Sequence, residues 1–404
     1  MIKKINVDKA RIGMYISQLD RSWIETPFVS HKFEIKTPKQ IAQLQECCSF
    51  VFIDTEKGLD EIAEDPKPKV EVQTDTSPKA KTLAEKLKEK PSSPDPDDLR
   101  RAMAVHNQAK AVISSILEDV RMGKSIETTL AKKSVESLVS SLIDDNNALL
   151  CLTKLKSHDE YTVSHSINVS ILALAFGRQL DIGLTKLEIL GLGALLHDIG
   201  KMKINPEVLN KPGKLTEEEF EIMKGHVLLG VEILEQTDGF PQDAIEPVIQ
   251  HHEKIGGRGY PAGLKDAQIS LYGKIMSIVD VYDAMTTDRV YRKATPPHEA
   301  LKWIYLGGGN DFEQEMVAQF IKTIGIYPIG SQVEINRGHV GLVMSTNPED
   351  ALKPSVLLLY DNQKQKYKPP RLINLTEKEL FTNKTMWSIT KVFGPLAQES
   401  LDNI

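Results

Sequence analysis

The fold of this chain is decided by residues 189–201, ILGLGALLHDIGK, where an apolar run ends in the adjacent pair His197 and Asp198. The run is apolar enough to form a buried helix, so the imidazole and the carboxylate are predicted to lie where burial is costly. We therefore expect both side chains to be paired, hydrogen-bonded or bound to a cation.

Five more side chains that can bind metal flank this pair along the chain. They are His165, His226, His251, His252 and Asp280. Each falls in a segment whose pattern predicts a helix, with the ring of His252 on the apolar stripe of residues 245–249 and Asp280 between two valines. We expect all of these polar groups to face the interior.

A single histidine on an apolar helix face is usually a hydrogen-bonded core residue. Five histidines and two aspartates on successive helices leave too many buried titratable groups for packing alone, whereas two divalent ions would satisfy them together. The donors are nitrogen and oxygen without thiolate, which suits iron, manganese, nickel or zinc. The usual chemistry of a dinuclear site is attack of a bridging hydroxide at phosphorus, so the pattern favours phosphoester hydrolysis.

The order of the motifs resembles the HD-GYP family, bacterial phosphodiesterases of the second messenger cyclic di-GMP. The matching segments are YTVSHS (161–166), HDIGK (197–201), KGH (224–226), HHE (251–253), GYP (259–261) and DVYDAMT (280–286). The resemblance covers about residues 150–330, and it implies an all-helical HD-type catalytic domain. A bare His-Asp pair would be a weak signal, but all the blocks occur here in sequence.

Carried over by position, the resemblance implies roles for individual residues. The metal ligands would be His165, His197, Asp198, His226, His251, His252 and Asp280, with Asp198 as the bridge. Asp198 and Lys201 would belong to the catalytic machinery, Lys201 contacting a substrate phosphate. Arg289 and Arg292 match positions that hold the dinucleotide phosphates, a role that suits guanidinium groups, although on composition alone they could be an exposed charge cluster.

The glycine-rich segment at residues 256–261 predicts a loop after the two adjacent histidines. As a turn it needs no function, but in the family Gly259 and Tyr260 border the active site, and the loop is implicated in contacts with diguanylate cyclase partners. Gly256 stands where the family usually has an acidic or amide residue.

A second departure concerns the number of metal ions. Some relatives carry a glutamate one helical turn before the first histidine that helps to hold a third metal, and here that position is Tyr161. A phenol is a poor ligand at neutral pH. We therefore expect two divalent ions, iron or manganese before nickel or zinc, and the resemblance then favours opening cyclic di-GMP to linear pGpG over complete hydrolysis to GMP.

Composition is typical of an enzyme rather than of a polymer-binding protein. The chain has 404 residues, 41% hydrophobic and 26% charged, with a net charge of −6, which argues against broad binding to nucleic acid or anionic lipid. The three cysteines, Cys47, Cys48 and Cys151, suit a reducing compartment. No signal peptide and no run of eighteen apolar residues occurs, so we expect a cytoplasmic protein without membrane insertion.

The chain is predicted to be mainly α, in four parts. Residues 1–61 form a small α+β regulatory domain, in which ARIGMY (10–15) resembles the uncharacterised domain that often precedes HD-GYP domains. Residues 62–97, rich in Pro, Lys, Glu and Ser, form a disordered linker. Residues 98–330 form the helical catalytic domain, and residues 331–404 a small β-rich extension.

Within the catalytic part, an apolar helical stripe at residues 109–120 would pack on the core or, less favoured, on a second copy in a homodimer.

Three functions are left open by the sequence. The first is a metal-dependent phosphodiesterase of cyclic di-GMP. The second is the same chemistry on a mixed cyclic dinucleotide or a phosphomonoester, because the ligands hold the phosphate and not the base. The third is a non-catalytic adaptor that binds a dinucleotide or a cyclase through the Gly-Tyr-Pro loop, which we weight as an added role because all seven ligands are kept.

Overall fold

The computed structural model describes residues 2–20, 32–59, 96–153, 161–288, 293–307, 309–347, 350–376 and 387–393. It divides into two compact units, an N-terminal one and a larger one that contains the helices and a C-terminal sheet. The predicted fold class, mainly helical with a small α+β region before and a strand region after the helices, is confirmed. The exact boundaries that we expect near residues 61, 97 and 330 stay predictions.

The N-terminal unit is a four-stranded antiparallel sheet with one helix. Its strands are β1 (Ile2–Asn6), β2 (Tyr15–Leu19), β3 (Phe33–Glu34) and β4 (Phe50–Asp54), in the order β1-β4-β2-β3. Helix α1 (Pro38–Cys47) begins with a capping box in which the side chains of Thr37 and Gln40 bond each other's main-chain N–H. Alternate strand residues such as Ile16 and Ile53 are buried and form a core of their own.

The larger unit is built from twelve helices among the described residues. They are α2 (Pro96–Arg121), α3 (Thr128–Asp144), α4 (Asn146–Leu152), α5 (Tyr161–Gln179), α6 (Leu184–Leu196), α7 (Pro206–Leu209), α8 (Glu217–Lys224), α9 (His226–Glu235), α10 (Ile245–Gln250), α11 (Leu271–Thr286), α12 (Pro297–Gly307) and α13 (Gln314–Ile324). A 3-10 turn, Ile199–Lys203, follows α6.

The centre of this unit is the pair α5 and α6, buried on nearly all sides. Every residue from Leu190 to Leu196 is buried, as the apolar run predicts. Helices α3, α10 and α11 pack around the pair. The stripe on α2, with Ile113 and Ile116 among its members, lies in the same core. The helix therefore packs on the core of its own unit, which is the alternative that the sequence analysis favours.

The C-terminal strands form a five-stranded antiparallel sheet. They are β5 (Gln332–Ile335), β6 (His339–Ser345), β7 (Ser355–Tyr360), β8 (Lys366–Asn374) and β9 (Ile389–Val392), in the order β8-β7-β6-β5-β9. One face has its own apolar cluster, while Leu342, Met344 and Leu359 join the core of the helical unit. The sheet therefore covers part of the helical core.

Several other expectations can be compared with the structure. The cysteines are free thiols. Most of the predicted linker, residues 62–95, lies outside the described residues, and its last two residues open α2. Across the part of the chain that the structure describes, no helix is both long and apolar enough to cross a membrane.

Candidate metal centre

The seven predicted ligands come together at the core of the helical unit, but some of them lie outside the helices. His165 lies in α5 and Asp280 in α11, His226 is the first residue of α9, and the other four follow the last residue of a helix: His197 and Asp198 after α6, His251 and His252 after α10. The expectation that every ligand lies in a helix is therefore wrong. Adjacent residues on one helix point about 100° apart, and leaving the helix lets both members of a pair converge.

Potential ligand atoms fall into groups of three. Atoms within 4.8 Å of one another come from His165, His197 and Asp280 in one group and from His226, His251 and His252 in a second. A third group joins His197, Asp198 and His251, so Asp198 lies between the first two. His252 is half-buried and the other six residues are buried.

The two oxygens of Asp198 face different groups. Oδ2 lies 3.3 Å from Nε2 of His197 and 3.6 Å from Nε2 of His165. Oδ1 lies 3.3 Å from Nε2 of His226 and 3.9 Å from Nε2 of His251. Ligands of one ion at bond lengths of about 2.1 Å are spaced by about 3 to 3.5 Å, so the two separations of 3.3 Å are in the range of donors that share a cation.

The opposite ring nitrogens fix the tautomers of the buried histidines. Nδ1 donates to a main-chain carbonyl three residues earlier in three of them: His197 to Ala194 at 2.8 Å, His226 to Met223 at 2.6 Å and His251 to Val248 at 2.6 Å. A carbonyl oxygen only accepts, so Nδ1 carries the proton and Nε2 of the neutral ring offers a lone pair to the centre.

The inner atoms of the centre suit a shared cation. The Nε2 atoms of His226 and His251 lie 3.3 Å apart, a spacing typical of two nitrogen ligands of one ion. Among the described residues, Nε2 of His197 and Oδ1 of Asp198 are buried without a hydrogen-bond partner. Unpartnered buried polar atoms are costly, and divalent cations would satisfy them. The residues present therefore fit a metal-binding site.

The pKa directions differ between the histidines, whereas those of the two aspartates favour the ionised form. Burial lowers the pKa of His251 well below its usual value and that of His252 to about 3, so both rings are neutral at pH 7. Burial opposes ionisation of Asp198, but electrostatic interactions with the neighbouring His197 and Lys201 hold its pKa well below the usual range. Burial would lower the pKa of His165, yet hydrogen bonds to Asp280 and Asp283 raise it to about 9.

Gly200 permits the close approach that brings Asp198 to His226. A Cβ at this position would lie 1.9 Å from the carbonyl oxygen of His226 and 2.4 Å from the main-chain nitrogen of Gly230. Only a residue without a side chain lets the 3-10 turn touch the start of α9. One residue further on, the ammonium group of Lys201 contacts Oδ2 of Asp198, while its side chain stays 22% exposed. Lys201 therefore reaches from solvent to the carboxylate between the two groups.

The Gly-Tyr-Pro loop is fastened by a buried carboxylate that the sequence interpretation did not single out. Glu253 is 1% exposed and accepts the main-chain N–H groups of Ala262, Gly263 and Leu264 at 2.8, 3.1 and 2.9 Å. A Cβ on Gly259 would lie 2.5 Å from the Cα of Glu253, so the loop folds tightly over this residue. The sequence signal was an ionisable residue directly after two ligands.

The loop places Tyr260 over the centre. Its ring lies 4.6 Å from that of His252, and burial raises the pKa of its phenol. On the outer side Phe220 of α8, 47% exposed, meets Tyr260 edge-on with ring centroids 6.3 Å apart. The ammonium of Lys224 lies 5.4 Å from the Phe220 ring centroid and 5.8 Å from that of Tyr260. Phe220, Tyr260 and Lys224 thus form a partly exposed aromatic and cationic surface, which we call the outer shelf.

Two further buried residues adjoin the ligands. Asp283 and Asn168, each three residues after a predicted ligand on the same helix, contact each other beside His165. That helical spacing was a signal in the sequence that the interpretation did not use. Arg289 and Arg292 lie outside the described residues.

Comparison with known proteins gives the same picture. Residues 2–131 match a domain of unknown function (DUF3391), residues 138–315 an HD domain, and residues 332–386 a KOW domain associated with HD domain. The cyclic di-GMP phosphodiesterase PA4108 of Pseudomonas aeruginosa is 34% identical over 377 residues, 93% of this chain and 89% of that protein.

Two proteins of Vibrio cholerae match a shorter part of the chain. A cyclic di-GMP phosphodiesterase is 32% identical over 233 residues, 56% of this chain and 44% of that protein. The 3'3'-cGAMP-specific phosphodiesterase 3 is 30% identical over 225 residues, 54% of this chain and 49% of that protein. With an HD domain over the metal centre and a relative similar over nearly the whole length, the chain belongs to the HD-GYP family of phosphodiesterases.

Proposed function

We propose that this protein hydrolyses cyclic di-GMP in a metal-dependent reaction, mainly to linear pGpG. The observation that carries the proposal is the position of Asp198, whose two oxygens face two separate groups of nitrogen and oxygen donors. A pair of divalent ions held there would supply an activated water and neutralise charge on the phosphoryl oxygens. The name of the relative that is similar over nearly the full length supports cyclic di-GMP as the substrate.

The chain's own residues have distinct tasks in this proposal. His165, His197 and Asp280 would hold one ion, His226, His251 and His252 would hold the other, and Asp198 would serve both. The ammonium of Lys201 contacts Asp198 and the side chain is 22% exposed, a position from which the ammonium would neutralise a phosphate of the substrate. Arg289 and Arg292, proposed from the family resemblance, would hold the dinucleotide phosphates.

The outer shelf supplies contacts for a base. Tyr260 and the exposed ring of Phe220 are aromatic surfaces on which a purine can stack, and Lys224 adds positive charge for a dinucleotide. Stacking tolerates different bases, whereas hydrogen bonds to base edges discriminate between them. Gly259 contributes by letting the loop hold Tyr260 close to His252.

A second substrate is favoured by a specific observation. Two relatives bear the name 3'3'-cGAMP-specific phosphodiesterase, at 30% and 34% identity over the parts they share with this chain. The proposed ligands would hold ions for the phosphate groups and leave the base to the outer shelf, so a mixed cyclic dinucleotide would fit the same centre. Binding of a diguanylate cyclase through the Gly-Tyr-Pro loop, and a homodimer, stay predictions from the sequence.

Two ions per chain remain our proposal for the metal count. Tyr161 opens α5 and its ring stacks on that of His165, with centroids 5.4 Å apart and planes inclined by 10°. Because a stacked phenol adds no ligand at this position, the proposed ligands are the seven predicted residues. Purified active protein that holds three ions per chain would contradict this count.

The test is turnover by anaerobically purified protein loaded with Fe²⁺ or Mn²⁺. Cyclic di-GMP and 3'3'-cGAMP are supplied singly and in competition, and products are separated by chromatography. We expect pGpG from the wild-type protein and loss of activity of at least about a thousandfold in Asp198→Ala and Asp198→Asn, because both changes remove the bridging charge.

Asp181→Asn is the matched control. Asp181 is an exposed aspartate of the same helical unit whose positive φ of 55° asparagine tolerates well, so its substitution should leave turnover unchanged. Exclusive turnover of 3'3'-cGAMP would transfer the proposal to that substrate. Metal binding without turnover of either dinucleotide would refute the proposal and favour the adaptor.

A further inference from the structure

Among the four fully buried histidines of the centre, His165 is held differently. His197, His226 and His251 each bond their Nδ1 atom to a carbonyl of their own local backbone. The Nδ1 atom of His165 instead lies 2.7 Å from Oδ2 of Asp283, a residue 118 positions away in sequence. The orientation of His165 thus depends on a side chain, whereas that of these three depends on the main chain.

The carboxylate of Asp283 is itself fixed. Asp283 is fully buried on α11, one helical turn after Asp280. Its other oxygen, Oδ1, accepts hydrogen bonds from Nδ2 of Asn168 at 3.1 Å and from Oγ1 of Thr287 at 3.3 Å. Asn168 lies one turn after His165 on α5, so the contacts join the two helices that carry the paired ligands His165 and Asp280.

We propose that Asp283 is a positioning residue for the metal centre: it fixes the tautomer and ring orientation of His165 so that Nε2 is directed to the ion. The inference rests on the metal centre of the proposed function. An ionised carboxylate only accepts, so Nδ1 of His165 keeps a proton and Nε2 is the nitrogen that would bind the ion after releasing its own proton. The adjacent negative charge also makes the imidazole a stronger donor.

The test measures binding of Mn²⁺ alone to the metal-free full-length protein, by competition with a chromophoric chelator. The variants are Asp283→Ala, which removes the acceptor and the charge, and Asp283→Asn, which keeps an oxygen for Nδ1 but loses the charge. Asn168→Ala is the matched control because it removes a contact to the same carboxylate without touching His165. Thermal unfolding in EDTA reports the stability of each metal-free variant.

We expect the half-saturating Mn²⁺ concentration of at least one binding step to rise about 10- to 100-fold in Asp283→Ala. Asp283→Asn should fall between Asp283→Ala and the wild type, and Asn168→Ala should stay within about threefold of the wild type. If Asp283→Ala does not fold without metal, Asp283→Asn takes its place in the comparison. The inference then requires weaker Mn²⁺ binding in Asp283→Asn than in Asn168→Ala.

Three results would overturn the inference: wild-type Mn²⁺ affinity in the Asp283 variants, equal weakening in Asn168→Ala, or no Mn²⁺ binding by the wild type. If the variants lose only thermal stability in EDTA, Asp283 merely connects two helices. Because the assay contains no nucleotide, the absence of cyclic di-GMP turnover would refute the proposed function and leave this result standing.

Discussion

The buried carboxylate of Glu253 offers a quantitative test of how the Gly-Tyr-Pro loop is held. Glu253→Ala removes three hydrogen bonds to main-chain N–H groups, two from Oε1 and one from Oε2. A hydrogen bond to a charged group contributes about 1.5 to 3 kcal/mol net. Ala262 is exposed and Gly263 and Leu264 are half-buried, so water replaces part of the loss. We expect the free energy of unfolding to fall by about 3 kcal/mol.

Glu253→Gln should be milder. Its amide oxygen can still accept from Ala262 and Gly263, whereas the NH₂ group faces the N–H of Leu264 and that bond is lost. The expected cost is about 1 to 1.5 kcal/mol. Because the loop holds Tyr260 against His252, turnover should fall in the same order, by at least about tenfold in Glu253→Ala.

The assay is urea unfolding followed by circular dichroism, together with proteolysis of the loop and turnover of cyclic di-GMP. Lys254→Ala is the control, because it removes the ion pair of a half-exposed neighbour with Asp311 and should cost less than about 1 kcal/mol. If Glu253→Ala unfolds within 1 kcal/mol of this control, or if the loop resists proteolysis as in the wild type, the loop does not depend on Glu253.

Three further outcomes are expected. Gly200→Ala should lower the free energy of unfolding by more than about 3 kcal/mol and weaken Mn²⁺ binding. In the control Gly230→Ala in α9, the nearest contact of the new Cβ would be 3.4 Å, so its free energy of unfolding should stay within about 1 kcal/mol of the wild type. Equal urea midpoints for the two variants would contradict the close approach at Gly200. Hydrogen bonds raise the pKa of His165 to about 9, so below pH 9 a bound Mn²⁺ must displace one proton from this ring. The affinity of the protein for Mn²⁺ should therefore rise about tenfold per pH unit from pH 7 to 9 and then level off. An affinity that does not change with pH would show that His165 is not a ligand. Phe220→Ala should raise KM for cyclic di-GMP about five- to tenfold with little change in kcat. The control is Ile222→Ala, which changes an exposed residue of the same helix and should leave KM unchanged. Identical KM values for the two variants would show that Phe220 does not contact the substrate.

Much of the fold was readable from local pattern. The apolar run before His197 is a buried helix and the chain beyond residue 331 is rich in strands, as the sequence predicts, and a capping box at Thr37 starts α1. These signals are local, because they depend on burial periodicity and on the capping of backbone groups within a few residues. The prediction that all ligands lie within helices was wrong because periodicity does not show where a helix ends.

The sequence by itself determined which residue types meet at the centre, since seven nitrogen and oxygen donors in apolar surroundings need a shared partner. Only the tertiary structure decided how they are divided. It placed the two oxygens of Asp198 toward different groups, gave His165 a carboxylate from 118 residues away, and set Phe220 beside Tyr260. Contacts between distant segments depend on how helices pack and where they stop, and no local pattern in the chain encodes those distances.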